Sequence, residues 1–155
     1  MAGTPLDVTA EYKYASGTRN PADAKRSSTF DQLYPANHDK FGHEDLFGWQ
    51  NIHNARSLAS LAVTKSLTLN LMCADSWLAS ARDALYSGQG RSIARSATGA
   101  AGRHVGQETD LFLTYRRNHF MWGAGYGHFF PGTFVRNTTP GVSPVYAYVF
   151  HTYSF

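Results

Sequence analysis

The stretch VYAYVFHTYSF, from Val145 to Phe155, decides the fold. Its alternate residues from Val145 onward form a largely apolar row, and the residues between them carry aromatic rings and hydroxyl groups. A period of two is typical of a β-strand with two different faces. A final strand that ends on an aromatic residue is typical of an outer-membrane β-barrel, although it could also be the last strand of a soluble sandwich.

The composition fits a single domain with a large aromatic content. The chain has 155 residues, of which 16% are charged and 14% are aromatic. Tyrosine and tryptophan suit the interface between lipid and water, so they are common in membrane barrels. The sequence contains no run of about 18 apolar residues, which excludes a transmembrane helix. The net charge of +3, with ten arginines and four lysines, is compatible with an anionic partner or with solvated loops.

The same alternation predicts six strands in all. We expect the other five at residues 6–16, 51–63, 67–77, 108–115 and 119–130. Long connections at 17–50, 79–106 and 131–144 alternate with very short turns, as do the loops and turns of outer-membrane barrels. The sequence therefore predicts an all-β, antiparallel, up-and-down transmembrane β-barrel. Asp75 falls on the apolar row, so we expect it to be paired or near the rim. Loop 17–50 contains many aromatic residues, so we expect it to pack on itself or into the lumen.

Six strands are too few for a single-chain barrel, which has at least about eight. An open six-stranded sheet would leave two unpaired edges. Met1 is not followed by a signal peptide, although an outer-membrane protein requires export. We therefore expect residues 1–155 to be the C-terminal portion of a larger barrel domain, with oligomerisation as the alternative.

Four segments carry a resemblance to a known family. They read LDVTAEYKYASGT, FDQLYPANHDKFGHEDLFGWQNI, DSWLASARDALYSG and GAGYGHFFPGTFVRNTT, the last running on to YVFHTYSF. Together they resemble the C-terminal part of the alginate export family of outer-membrane proteins. The resemblance implies a monomeric barrel of roughly 18 strands in the bacterial cell outer membrane, of which this chain would be the last third. It also implies that an anionic uronate polysaccharide passes through an arginine-lined lumen. The expected partners are this solute, outer-membrane lipid and the missing N-terminal part of the barrel.

Candidate contacts for an anionic saccharide are cations and aromatic rings. Arginine suits carboxylates because its guanidinium group offers two parallel hydrogen bonds. The predicted lumen residues are Lys13, Arg56, Arg116, Tyr146 and Tyr148, and the predicted loop residues are Arg82, Arg91, Arg95, Arg103 and Arg136. The alternative is that the lumen cations pair with Glu11, Glu108 and Asp110 on neighbouring strands.

Other motifs have weaker functional interpretations. A metal could bind to the group His38, Asp39, His43, Glu44, Asp45 and His53, but the spacing matches no known metal motif, so we expect a hydrogen-bonded loop. The GAGYG stretch, Gly123 to Gly127, lacks nucleotide-motif spacing. A serine nucleophile (Ser76, Ser80 or Ser154) has no supporting motif. We therefore expect no enzyme, cofactor or nucleic-acid partner. The main alternative function is a soluble all-β carbohydrate-binding domain, and a barrel enzyme ranks last.

Overall fold

A computed structural model describes residues 5–23, 25–34 and 42–155 of the protein. This part of the chain forms eight strands and one short helix. They are β1 (Leu6–Ala15), β2 (Ile52–Ala62), β3 (Leu67–Leu78), β4 (Ala84–Tyr86), β5 (Ser92–Arg95), β6 (His104–Arg117), β7 (Phe120–Pro131), α1 (Thr133–Thr138) and β8 (Val145–Tyr153). Among these residues, no helix has the length and apolar character needed to cross a membrane.

Six long strands form one antiparallel sheet in the order β1-β2-β3-β6-β7-β8. Each strand pairs with its neighbour in an up-and-down arrangement, which confirms the all-β prediction. The sheet is not closed into a barrel, because β1 and β8 are its two edges and do not pair with each other in the part described. The short strands β4 and β5 form a separate hairpin in the second long connection.

The register gives the sheet two different faces. Leu6 lies opposite Leu61, Leu71 opposite Leu111 and Ala124 opposite Val149. We call this side the apolar face, and its large exposed side chains include Leu6, Val8, Tyr12, Leu71, Leu111, Leu113, Trp122, Tyr126, Val149 and Tyr153. The other side is the polar face, and it carries Asp7, Glu11, Lys13, Arg56, Asn70, Asp110, Arg116, Tyr146 and Tyr148.

The connections differ at the two ends of the sheet. Short turns join β2 to β3 and β6 to β7, and the second turn is tight because Asn118 adopts a positive φ of 52°. We call this the short-turn end. The connections after β1, β3 and β7 lie at the opposite, long-loop end. Near that end Asp75 accepts hydrogen bonds from Gln107 (2.9 Å) and contacts the His104 ring (2.8 Å), so the predicted pairing of Asp75 is confirmed.

The buried apolar core lies at the long-loop end and not between two sheets. It joins side chains from the loops, the small hairpin, the helix and the ends of the long strands: Ala15, Phe47, Ile52, Leu78, Leu85, Ala94, Val105, Phe129 and Phe134. Strand β6 bulges against β3 here. Gly106 has a φ of +152°, and a side chain at this position would overlap the Phe129 ring. We call the nine buried side chains of this apolar core, from Ala15 to Phe134, the loop core.

Candidate functional site: the polar face and its loops

A carboxylate holds two of the predicted lumen cations. Glu11 on β1 lies directly opposite Arg56 on β2. Its Oε2 accepts hydrogen bonds from Lys13 Nζ (2.8 Å) and Arg56 Nε (2.9 Å), and Arg56 Nη2 lies 2.6 Å away. The predicted alternative therefore holds for this pair, because Lys13 and Arg56 are partly neutralised.

Arg116 lies at the short-turn end of the polar face. Its neighbour Arg117 points to the apolar face because it pairs with Phe120, whereas Arg116 pairs with Met121. Arg116 is exposed, and its Nη2 lies 3.5 Å from the sulfur of Met121. A thioether is a weak acceptor, so the charge of Arg116 stays available to an anion.

The five predicted loop arginines lie at the long-loop end. Two of them brace backbone carbonyls: Arg103 donates to Leu78 O (2.7 Å) and Ala79 O (3.1 Å), and Arg136 donates to Pro131 O (2.6 Å). Arg95 lies 3.6 Å from Asp83. Arg82 and Arg91 are exposed. The cations are thus spread over both ends of the sheet.

An aromatic ladder runs along β8 on the polar face. Its members are Tyr146, Tyr148 and Phe150, and successive ring centroids are 5.3 and 6.3 Å apart with interplanar angles of 27° and 21°. The rings lie over Gly123 and Gly125 of the neighbouring strand. A side chain at Gly125 would overlap the Tyr148 ring, so the glycines make the flat arrangement possible.

A loop segment covers the middle of the polar face. Residues 42–50, which we call the inner segment, reach the face through Glu44, whose N–H donates to Glu108 Oε1 (3.2 Å). The ring of His43 packs against Phe112 (5.1 Å between centroids) and Tyr148 (5.5 Å). The sequence predicted that this loop packs on itself or into the lumen, and the inner segment packs on the polar face. His38 and Asp39 of the possible metal group lie outside the described residues.

Three carboxyl groups meet under the inner segment. Asp110 is fully buried and Glu108 is 4% exposed. In the described structure, neither oxygen of Asp110 accepts a hydrogen bond, and His43 Nδ1 lies 3.6 Å from Oδ2. Burial and the nearby charge of Asp110 raise the pKa of Glu44 to about 7. Over the described ranges, no group of three or more His, Cys, Asp and Glu side chains has the geometry of a metal site.

Asp83 joins the first long connection to the second. Its carboxylate is 1% exposed and accepts four hydrogen bonds: Oδ2 from Thr18 N (2.7 Å) and Thr29 Oγ1 (2.6 Å), Oδ1 from Ala84 N (2.8 Å) and Tyr86 Oη (2.8 Å). Burial alone would raise the pKa of Asp83, but these hydrogen bonds outweigh it and lower the pKa below its ordinary value. The network fixes the long-loop end of the polar face.

Asn51 makes a second joint between the same connections. It is fully buried with a φ of 52°, and its side chain donates to Ser80 O (3.1 Å) and Ala84 O (2.9 Å) and accepts from Ser80 N (2.7 Å). Sequence reasoning did not identify Asn51 or Asp83. Their only signal is a small polar residue beside a strand end, which is typical of many turns.

No curated protein matches the chain. The model of the family described as "Alginate export" matches residues 3–149.

The chain belongs to the alginate export family. The resemblance seen in the four sequence segments is therefore confirmed. The alginate export family is an outer-membrane family of transport proteins and not of enzymes. Family membership therefore connects the antiparallel sheet with an outer-membrane transport family.

Proposed function

We propose that the chain forms part of the wall of an outer-membrane barrel whose lumen passes anionic saccharides such as alginate-like polyuronates. The polar face would line the lumen, and the apolar face would contact lipid. The observation that carries the proposal is the two-faced sheet, with large apolar side chains exposed along one whole side. Such a surface would aggregate in water, so it favours this reading over a soluble carbohydrate-binding domain.

The aromatic residues of the apolar face support a lipid environment. Phe120, Trp122 and Tyr153 cluster at the short-turn end, with Phe120 and Trp122 stacked at 5.2 Å. His128 and Phe130 stack at 4.2 Å toward the long-loop end. The nine residues from Trp122 to Phe130 match the roughly 9–11 residues with which a tilted strand crosses the hydrocarbon core. Aromatic rings at both ends are typical of membrane barrels.

The polar face supports a path for an anionic sugar polymer. Carboxylate groups would meet Arg116 at the short-turn end, the Glu11-bound pair of Lys13 and Arg56 farther along, and the loop arginines at the other end. The rings of Tyr146 and Tyr148 would contact the apolar surfaces of the sugar rings. In this proposal the solute moves between separate weak contacts and is not held at one tight site, as conduction requires.

The edges of the sheet indicate what completes the barrel. Strands β1 and β8 each have one side without a strand partner in the part described. Unpaired backbone groups are costly in lipid, so both edges need further strands. We propose that an N-terminal part of the barrel supplies them, which would give a closed wall of roughly 18 strands.

Ion selectivity tests the proposal. We would compare Arg116→Glu with Arg117→Glu in planar lipid bilayers under a salt gradient, because these neighbouring arginines lie on opposite faces. One unit charge about 8 Å from a permeating ion contributes roughly 0.5 kcal/mol in a water-like medium. Reversal at Arg116 therefore changes anion entry by about 1 kcal/mol, or roughly fivefold before salt screening.

The expected result is a loss of anion preference in Arg116→Glu and little change in Arg117→Glu. Block of the current by uronate oligomers should weaken in the same variant. An equal effect of the two variants, or none, would contradict the assignment of the polar face to the lumen. The number of channels that insert is counted separately, so that poor insertion is not read as altered selectivity.

A further inference from the structure

The contact between the inner segment and β6 brings together the carboxyl groups of Glu44, Glu108 and Asp110. If all three were ionised, their negative charge would exceed what the described structure neutralises. Glu44 is held over Glu108 by the 3.2 Å hydrogen bond from its own N–H, and Asp110 lies beside them. Three ionised carboxylates in a buried space would cost several kcal/mol each without compensation. The other titratable side chains described in or around the cluster are His43, Asp45, Tyr146 and Tyr148.

A second observation concerns the hydrogen bonds of these carboxyl groups, because several of their oxygens lack a donor. In the part of the chain that is described, both oxygens of the fully buried Asp110 and Oε1 of Glu44 have no hydrogen-bond partner. Buried carboxylate oxygens are almost always satisfied. A proton on one carboxyl group would convert an acceptor into a donor and would satisfy a neighbouring oxygen at the same time.

The glycines of the contact show that the segment fits tightly. A side chain at Gly42 would overlap the carboxyl group of Glu108. A side chain at Gly127 of β7 would overlap Asp110 and lie 3.4 Å from Glu44 Oε1. The backbone of the inner segment and the wall of the sheet therefore approach each other only because these positions lack side chains. Carboxyl groups so confined cannot move apart while the segment stays docked.

We infer that the inner segment is a proton-controlled element of the lumen: protonation of Glu44 docks residues 42–50 against β6 and β8, and loss of the proton releases them. This inference rests on the proposed function, because it takes the polar face to be the lumen wall. Docked, the segment covers part of that face beside Tyr148. Released, it uncovers Asp110 and part of the aromatic ladder.

The sign of the effect follows from the raised pKa of Glu44. Its value of about 7 in the docked state lies above the ordinary value of 4.5. The stabilisation of the docked state is thus complete below about pH 4.5 and is lost as the pH rises through about 7. Linkage gives a contribution of Glu44 to docking that weakens roughly tenfold between pH 6 and pH 8.

Hydrogen exchange at the amide of Glu44 measures docking directly, because this N–H is bonded to Glu108. We would follow the peptide that contains residues 42–46 in the complete protein, in lipid, from pH 5 to pH 8.5, and correct for intrinsic exchange. The wild type should lose at least about tenfold protection between pH 6 and pH 8. Glu44→Gln removes the titration at residue 44 and should show a clearly smaller loss.

Glu11→Gln is the matched control, since Glu11 is also a carboxylate of the polar face but lies on β1, three strands from Glu108 on β6. It should retain the wild-type pH dependence. Protection independent of pH in the wild type, or an unchanged loss in Glu44→Gln, would overturn the inference. The measurement uses no ion current, so its failure is distinguishable from a failure of the selectivity experiment.

Discussion

The geometry of the Asp83 network determines how much stability a substitution of Asp83 should cost. Each oxygen of the carboxylate accepts one backbone N–H and one side-chain hydroxyl. In Asp83→Asn one oxygen becomes an NH₂ group, which cannot accept. Either orientation of the amide therefore leaves one backbone N–H, that of Thr18 or that of Ala84, facing a donor. The hydroxyl beside it could rotate, but the backbone cannot.

The expected cost is about 2–4 kcal/mol, because a buried unsatisfied donor costs roughly 1–3 kcal/mol and the remaining bonds lose their charge. Local opening of the Asp83 network should become roughly 30-fold to 900-fold more frequent. Hydrogen exchange of the peptide at residues 25–34 measures this opening, since Ser28 N and Thr29 N are bonded to Thr18 Oγ1 (3.0 and 3.1 Å).

Asp23→Asn serves as the control, because Asp23 is exposed in the same loop and its carboxylate accepts only from Lys25 N (3.0 Å) in the part described. If the amides of residues 25–34 exchanged equally fast in Asp83→Asn and Asp23→Asn, the reasoning about the network would be refuted.

The pH dependence of the Asp83 network gives a second check. The pKa of Asp83 is lowered, so its stabilisation is present above about pH 4 and is lost as the pH falls further. In that range docking through Glu44 should not change, because its stabilisation is already complete below about pH 4.5.

Two further predictions concern the faces of the sheet. Gly125→Val should displace the Tyr148 ring and cost about 1–3 kcal/mol in urea unfolding from lipid vesicles, whereas Ala124→Val on the apolar face should be nearly neutral. Equal stabilities would contradict the tight ring–glycine contact. A fluorescent label on Cys73, which is exposed on the apolar face, should be quenched by brominated lipid. A label on Ser60→Cys in a Cys73→Ser background should not be quenched, and quenching of both labels would exclude the assignment of the faces.

The long strands could be predicted because a two-residue period repeats over nine or more residues in each. It also gave the correct faces: Glu11 lies on the same side as Arg56, and Leu71 on the same side as Leu113. The expected strand at 108–115 is longer at both ends, where Gly106 and Arg117 interrupt the pattern. The hairpin and the helix could not be predicted, because segments of three to six residues contain too little periodicity.

The site could be predicted only in part. Alternation assigns Arg56 and Arg116 to a face, but it does not show that a carboxylate on the neighbouring strand holds the first and a thioether contacts the second. The Glu44–Glu108 contact joins residues 64 positions apart. No local pattern reports a contact between a loop and a strand at that separation, because it depends on how the loop packs in three dimensions.

The position of the loop core has a thermal consequence. Separating Phe47, Val105 and Phe134 would expose apolar surface to water, which gives unfolding a large positive heat capacity change. On the proposed function, the apolar face is in hydrocarbon whether or not the strands are paired, so it adds little to that change. Calorimetry should therefore assign most of the curvature in stability with temperature to the loops, and cooling should weaken the loop core before it weakens the sheet.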